Sequence, residues 1–307
     1  MQVLLLLILL LAAVAYASYF SYKLVFWYDD PMNSPYRYPD TDQRRAVKPA
    51  LDPAIAEILE TPYEEVSIFS HDGLKLLARY YHFSDGGPLE IQCHGYKGNP
   101  IVDFAGTWQI AKAAGRNVLL IHQRCHGGSE GHTITFGIRE QKDVLGWIRY
   151  AVARFGNIPI LLNGVSMGAA TVLMASAGEL PLNVKGVIAD CPYDTPSNII
   201  KNVVTHNRNL PVKVLYPLIY LGSILYGKFH LNADSPLKAV PNVRIPILLI
   251  HGDQDRFVPH AMSQNLQAAA PENIEFHTIS GAGHAINCIT DPEHYARIVN
   301  TFTERYL

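Results

Sequence analysis

A chain of 307 residues with a formal net charge of −2 is long enough for one large α/β domain plus an appendage, and it needs no cross-links to build a core. Its 25 basic and 27 acidic residues nearly cancel, which leaves no electrostatic footprint for nucleic acid. Cys93, Cys125, Cys191 and Cys288 are widely spaced without a C-x-x-C pair, a pattern of free, mostly buried thiols with no metal-ligand rhythm; a Cys93–Cys125 bridge is the one pairing that the predicted sheet edge would bring near.

Residues 3–17 are almost unbroken Leu, Ile, Val and Ala, and with residues 18–28 the apolar stretch exceeds the length needed to cross a bilayer. Tyr16, Tyr19, Tyr22, Trp27 and Tyr28 follow as an aromatic cluster suited to a membrane interface. A signal peptide cleaved after Ala15-Tyr16-Ala17 competes with a retained anchor; the missing basic start argues against the first, and the total length favours the second. Lys23, Arg37, Arg44, Arg45 and Lys48 all lie after the segment, which under the positive-inside rule keeps the following domain cytoplasmic. Residues 29–63 read as a Pro- and Asp-rich linker with a short helix around 53–59.

From Glu64 the pattern changes. Two alternating runs flank His71-Asp72-Gly73 and predict a β-hairpin. Strands at 88–93, 118–122, 158–163, 184–190, 245–251 and 274–279 then alternate with helices at 103–114, 139–155, 167–177, 260–270 and 292–306. A hairpin leading into βα repeats predicts a mostly parallel mixed sheet with helices on both faces. In such a sheet the chemistry sits at the carboxyl ends of the strands.

Each unusual polar cluster falls at one of those ends. Gly164-Val165-Ser166-Met167-Gly168 joins an apolar strand to an Ala-rich helix, and the turn presents Ser166 as a nucleophile in strained backbone geometry; the plainer alternative is a tight turn with a buried capping serine. His94-Gly95-Tyr96 ends the first parallel strand, and we assign the two oxyanion donors to the backbone N–H groups of Tyr96 and Met167. His94 itself is expected to brace neighbouring loops. Arg124, in the loop from Gln123 to Ser129, is expected to do the same by hydrogen bonding. The loop at 251–259 offers two carboxylates, Asp253 and Asp255. Asp255 is the expected partner of the general base, Asp253 a turn or capping residue, and Asp190 a third candidate. His284, in a glycine-flanked loop, completes the order Ser, Asp, His and is the expected base.

Taken together, these segments resemble the α/β-hydrolase superfamily over about residues 64–307. The resemblance rests on His94-Gly95-Tyr96, the 123–129 loop, Gly164 to Gly168, His251-Gly252-x-x-Asp255-x-x-Val258-Pro259 and Gly281-x-Gly283-His284. It looks most like the membrane-anchored bacterial branch near the Bem46-like and serine-aminopeptidase-like hydrolases. Such a resemblance implies a Ser166–Asp255–His284 triad and no cofactor. One departure is visible. The family loop often reads Asp-x-Arg-Gly-His-Gly-x-Ser, whereas His122 and Cys125 replace the Asp and the Gly here.

The family usually inserts a cap where this chain has residues 191–240. Tyr193, Tyr216, Tyr220 and Leu221 are candidates to line an acyl pocket within it, or they simply pack the cap on the body. The expected function is a membrane-anchored serine hydrolase acting on a small-molecule acyl substrate, an ester, thioester or amide. Its rivals are an aminopeptidase, which needs an acidic cluster to hold a substrate amine, and a non-catalytic binding protein of the same fold.

Overall fold

Short runs rich in branched residues, bounded by turns, pair into one eight-stranded sheet in the computed structural model, which describes residues 1–29 and 42–307. The strands are β1 (Glu64–Phe69), β2 (Lys75–Tyr81), β3 (Leu89–Cys93), β4 (Asn117–Ile121), β5 (Ile160–Val165), β6 (Val184–Asp190), β7 (Ile247–Gly252) and β8 (Ile274–Ile279). They lie in the order β1-β2-β4-β3-β5-β6-β7-β8. β2 runs antiparallel to β1 and β4, and all other pairs are parallel. The mixed sheet expected from the hairpin and the βα repeats is therefore present.

Alternation sends successive residues to opposite faces. On one face Leu119, Val187 and Leu249 bury with Val144 and Trp147. On the other, Val118 and Leu120 pack with Trp108, while Ile188, Leu248 and Ile250 pack with Phe302. Helices thus cover both faces, as a parallel sheet requires.

α1 (Gln2–Val25) and α2 (Asp42–Glu60) precede the sheet. Residues 30–41, including Arg37, lie outside the described residues. The expected linker gives way to a full helix at α2, which continues through Pro49 and Pro53. Leu51, Ile55 and Ile58 recur at helical spacing and bury beside Phe104 and Trp108, so tertiary burial overrides the breaker signal.

The single helix predicted at 103–114 is two, α3 (Pro100–Phe104) and α4 (Trp108–Ala113). Gly106 sits in the break, where a Cβ would come within 2.2 Å of the Cys288 Sγ; the chain turns there to pass its neighbour. The remaining helices are α5 (Glu140–Phe155), α6 (Met167–Ala175), α7 (Pro196–Asn202), α8 (Val212–Leu225), α9 (Pro236–Ala239), α10 (His260–Ala269), α11 (Asn287–Thr290) and α12 (Pro292–Tyr306). None of the four cysteines forms a disulfide.

The parallel register aligns the strand ends. Cys93 pairs with Gly164, Val165 with Asp190, Asp190 with Ile250 and Gly252 with Ile279. The loops that begin at His94, Ser166, Cys191, Asp253 and Ser280 therefore leave the sheet side by side.

Candidate active site

Ser166 stands at the turn between β5 and α6 with φ 56° and ψ −116°, in the region that costs a side chain of its type energy. The flanking glycines make the turn possible. A Cβ on Gly164 would lie 2.4 Å from the Gly168 backbone, and one on Gly168 would lie 1.9 Å from the Cys93 carbonyl oxygen. Ser166 precedes the first residue of α6, yet its hydroxyl makes no capping bond. Instead its Oγ lies 3.0 Å from the His284 Nε2.

The His284 Nδ1 lies 2.6 Å from the Asp255 Oδ2. The other Asp255 oxygen accepts the N–H groups of Phe257 and Val258, each at 2.8 Å. His251 adds a contact from its Nε2 at 3.2 Å. Burial alone would raise the Asp255 carboxyl, but electrostatic attraction to His284 and the hydrogen bonds from His251 and His284 hold it well below the ordinary carboxylate range. Asp255 is thus an anion fixed at both oxygens. His251 lies four residues before Asp255, a spacing that carries no signal for this contact. Phe257 packs its ring 5.0 Å from that of His284, a contact with no sequence signal of its own.

The remaining candidates separate cleanly. Asp253 accepts the Gly281 N–H at 2.8 Å and so fixes a turn. Asp190 is buried against Asn287 and Tyr295, at 2.6 and 3.0 Å. His94 accepts the Gln123 N–H through Nε2 at 3.1 Å, and the Gln123 side-chain amide donates to the His94 carbonyl. Arg124 grips Asp143 through two nitrogens at 2.7 Å and also reaches Asp72 in the hairpin turn. Both residues brace loops, as expected.

The Gly95 loop closes over the serine. A Cβ on Gly95 would come within 3.4 Å of the Ser166 Cβ, and the Gly95 N–H is held by Asp103 at 2.8 Å. Neither the Tyr96 nor the Met167 backbone N–H donates to another described residue. A metal has little to hold here. Cys191, Asp255 and His284 bring ligand atoms within 4.8 Å of one another, but burial and the neighbouring Asp190 keep the Cys191 thiol protonated, well above its usual range. His71, Asp72 and Asp143 form a similar group, with the Arg124 guanidinium on both of its carboxylates.

A family model described as "Alpha/beta hydrolase family" matches residues 93–300. The chain belongs to the alpha/beta hydrolase family. An uncharacterized protein of Bacillus subtilis, YqkD, is 25% identical over 217 residues, 70% of each chain. Among solved structures, the Pyrococcus furiosus esterase Pf2001 superposes with a TM-score of 0.69 at 20% identity, covering 92% of this chain and 99% of that one. Ferulic-acid-bound Est1E from Butyrivibrio proteoclasticus superposes at 0.59 and 21%, covering 78% and 98%.

Against the α/β-hydrolase pattern, the exchange at His122 is accommodated locally. A Cβ on Gly127 would lie 1.9 Å from the His122 Nδ1, so the glycine opposite makes room for the larger ring. Burial pushes His122 down to about 3 and the enclosed His126 well below its ordinary value, and the neighbouring His94 adds to both. Both rings are neutral in the fold, so below about pH 6.5 the unfolded chain binds more protons than the native one. We expect stability to be complete above about pH 6.5 and to fall as pH drops toward 3, by up to about 1.4 kcal/mol per pH unit for each ring. Thermal melts from pH 7 to pH 4.5 measure this, and His122→Asn should flatten the slope. An unchanged slope in that variant removes His122 from the explanation.

Three of the candidate pocket residues belong to one apolar cluster, which also contains Met167, the residue after the serine. Tyr193 is buried in one cluster with Met167 and Val258, and Tyr216 and Tyr220 pack against it. The Tyr216 hydroxyl is held by Ser197 at 2.6 Å. Leu221 is not part of that cluster. Ile219 and Ser223 face inward from α8, and the helical period turns Leu218, Leu221 and Leu225 to its outer side.

Proposed function

We propose that this α/β-hydrolase is a serine hydrolase that cleaves a carboxylic ester, thioester or amide through an acyl-enzyme, with apolar acyl esters preferred. The observation that carries the reading is the unbroken relay from Ser166 to His284 to Asp255, at 3.0 and 2.6 Å. In it, His284 takes the Ser166 proton as the hydroxyl attacks the carbonyl carbon and returns it to the leaving group. Asp255 holds the ring in the tautomer that leaves Nε2 free to accept, and it stabilises the imidazolium that forms. The Tyr96 and Met167 N–H groups receive the oxyanion, each donor contributing about 10²- to 10³-fold in rate. Water then releases the acyl group by the same proton path.

The apolar cluster around Tyr193, Tyr216 and Tyr220 supports an apolar acyl part, and the esterases among the structural neighbours are in keeping with it. The long apolar α1 ahead of the domain fits the membrane-anchored, Bem46-like branch. An aminopeptidase finds less support. The only carboxylates among residues 191–240 are Asp194 and Asp234, and both are engaged, Asp194 by Asn198 and Asn265 and Asp234 by Gln141.

The expected result with p-nitrophenyl esters from acetate to palmitate, using the full chain in detergent, is turnover of all of them, with kcat/KM rising toward the longer acyl groups. Aminoacyl-amides should be poor substrates. Hydrolysis of aminoacyl-amides without acyl esters would replace this reading with the peptidase.

A further inference from the structure

We propose that the second half of α1 and the C-terminal end of α8 form a surface that docks into a lipid bilayer and holds the catalytic mouth at the membrane, so that the substrates are esters whose acyl chains lie in the bilayer. The substrate half rests on the hydrolase reading above.

Helix length carries the first step. Residues 1–13 are exposed on every side, and from Val14 onward one face of α1 turns inward. At about 1.5 Å per residue, the free part of the helix rises only about 18 Å. A hydrocarbon core is about 30 Å thick. If the 24 residues of α1 are themselves the segment that crosses it, roughly two further turns, to about Ser21, lie at membrane depth as well.

Those turns are fastened to the cap. The Tyr226 hydroxyl donates to the Ala15 carbonyl at 2.9 Å, and the Tyr19 and Tyr226 rings meet edge to face at 5.1 Å. A Cβ on Gly222 would lie 2.6 Å from the Ser18 carbonyl oxygen, so the helices cross at glycine distance. Tyr226 beside Ala15 and Gly222 beside Ser18 mean that α8 runs antiparallel to α1, with its C-terminal end toward the bilayer. Whatever depth α1 reaches, that end must reach too. The outer surface suits it: Tyr16, Tyr19 and Phe20 are exposed on α1, and Leu225 is exposed on α8. The polar boundary falls one turn later. There Lys23 lies over the Trp27 ring at 3.4 Å and Lys97 reaches the Leu24 carbonyl, as side chains at a headgroup layer do.

The joint between this surface and the site is rigid. The Tyr96 hydroxyl donates to the Val25 carbonyl at 2.7 Å, the Ile134 N–H to the Phe26 carbonyl at 2.8 Å, and Tyr22 bonds Thr133 at 2.7 Å. Phe26 is wholly buried and packs on Phe136, which in turn stacks on Tyr96. The end of α1 therefore abuts the loop whose N–H is assigned to the oxyanion. The depth of the helix fixes the height of the mouth, and α1 acts as a wall of the domain rather than a loose tether.

Spin labels on the full chain in phosphatidylcholine vesicles test this. Three variants, each on a Cys288→Ala background, carry the label at Leu7→Cys, Leu225→Cys or Leu182→Cys. Leu225 is 43% exposed, and Leu182 is 93% exposed, just ahead of β6 at the opposite end of the sheet from Ser166. We expect positions 7 and 225 to collide preferentially with oxygen, which concentrates in lipid, and position 182 with a water-soluble nickel chelate. Position 225 behaving like 182 while 7 lies in lipid makes α1 a tether and overturns the proposal. Shielding of 225 from both reagents with spin–spin broadening assigns the face to a second copy, which overturns it as well. An aqueous position 7 removes the membrane reading and the proposal with it. Fluorophosphonate labelling of the same samples reports on the hydrolase reading separately: no labelling with 225 in lipid leaves the docking surface standing and overturns the substrate half.

Discussion

Replacing Ser166 by Ala should lower kcat for a p-nitrophenyl ester by about 10⁴- to 10⁶-fold while leaving the fold intact. The substitution removes one oxygen and nothing else. Ala adopts the strained φ of 56° no less readily than Ser, and the serine hydroxyl makes no capping bond whose loss would loosen α6. Its one hydrogen bond in the site is to the His284 Nε2, so the loss falls on the attacking atom. The free Tyr96 and Met167 N–H groups would still polarise a bound carbonyl, which is why a residue of catalysis over water should survive. Steady-state kinetics with a thermal melt of both proteins decides the matter. Retention of a tenth or more of the wild-type kcat by a well-folded variant removes Ser166 from the mechanism.

Asp255→Asn should cost about 10⁴-fold in kcat with little change in KM, for a reason visible in the hydrogen bonds. One carboxylate oxygen accepts two backbone N–H groups, from Phe257 and Val258. An asparagine must turn its carbonyl toward those donors and therefore its NH₂ toward His284. The ring then accepts at Nδ1 and carries its proton on Nε2, where it cannot take one from Ser166. The same NH₂ would face the His251 Nε2, which already contacts the Val258 carbonyl at 2.9 Å, so some loss of melting temperature should accompany the loss of rate. Asp253→Asn, by contrast, touches only the Gly281 turn and should leave kcat within about threefold, as surface changes away from the site do. Equal losses from the two variants would put the carboxylate at the wrong position.

Much of this site was legible in the sequence because its parts are local. A strand, a strained turn and a helix lie within eleven residues around Ser166, and the glycines at 164 and 168 announce close contacts that the backbone then makes. Parallel pairing does the rest: once the strands are identified, their carboxyl ends fall in one row and bring residues 118 positions apart within a hydrogen bond. Features that depend on packing at a distance stayed hidden. Pro49 argued for a linker ahead of the short helix expected at 53–59, and burial of Leu51, Ile55 and Ile58 against α3 and α4 accompanies the extension of that helix back to Asp42. The break at Gly106 answers to Cys288, far away in the chain. His251 stood within the recognised loop, yet nothing in its spacing said that it would share Asp255 with His284. The seat of α1 on α8 depends on Gly222 meeting Ser18, a match between two segments that each read as plain apolar helix.

Covalent capture shows whether Ser166 is the nucleophile of a working hydrolase. The full chain in detergent is treated with a fluorophosphonate, digested and mapped by mass spectrometry. The relay from Ser166 through His284 to Asp255 predicts a single adduct on the Ser166 peptide, formed at a rate that falls at least a hundredfold in His284→Ala. No adduct on the folded wild-type protein, or an adduct on another serine, would contradict it.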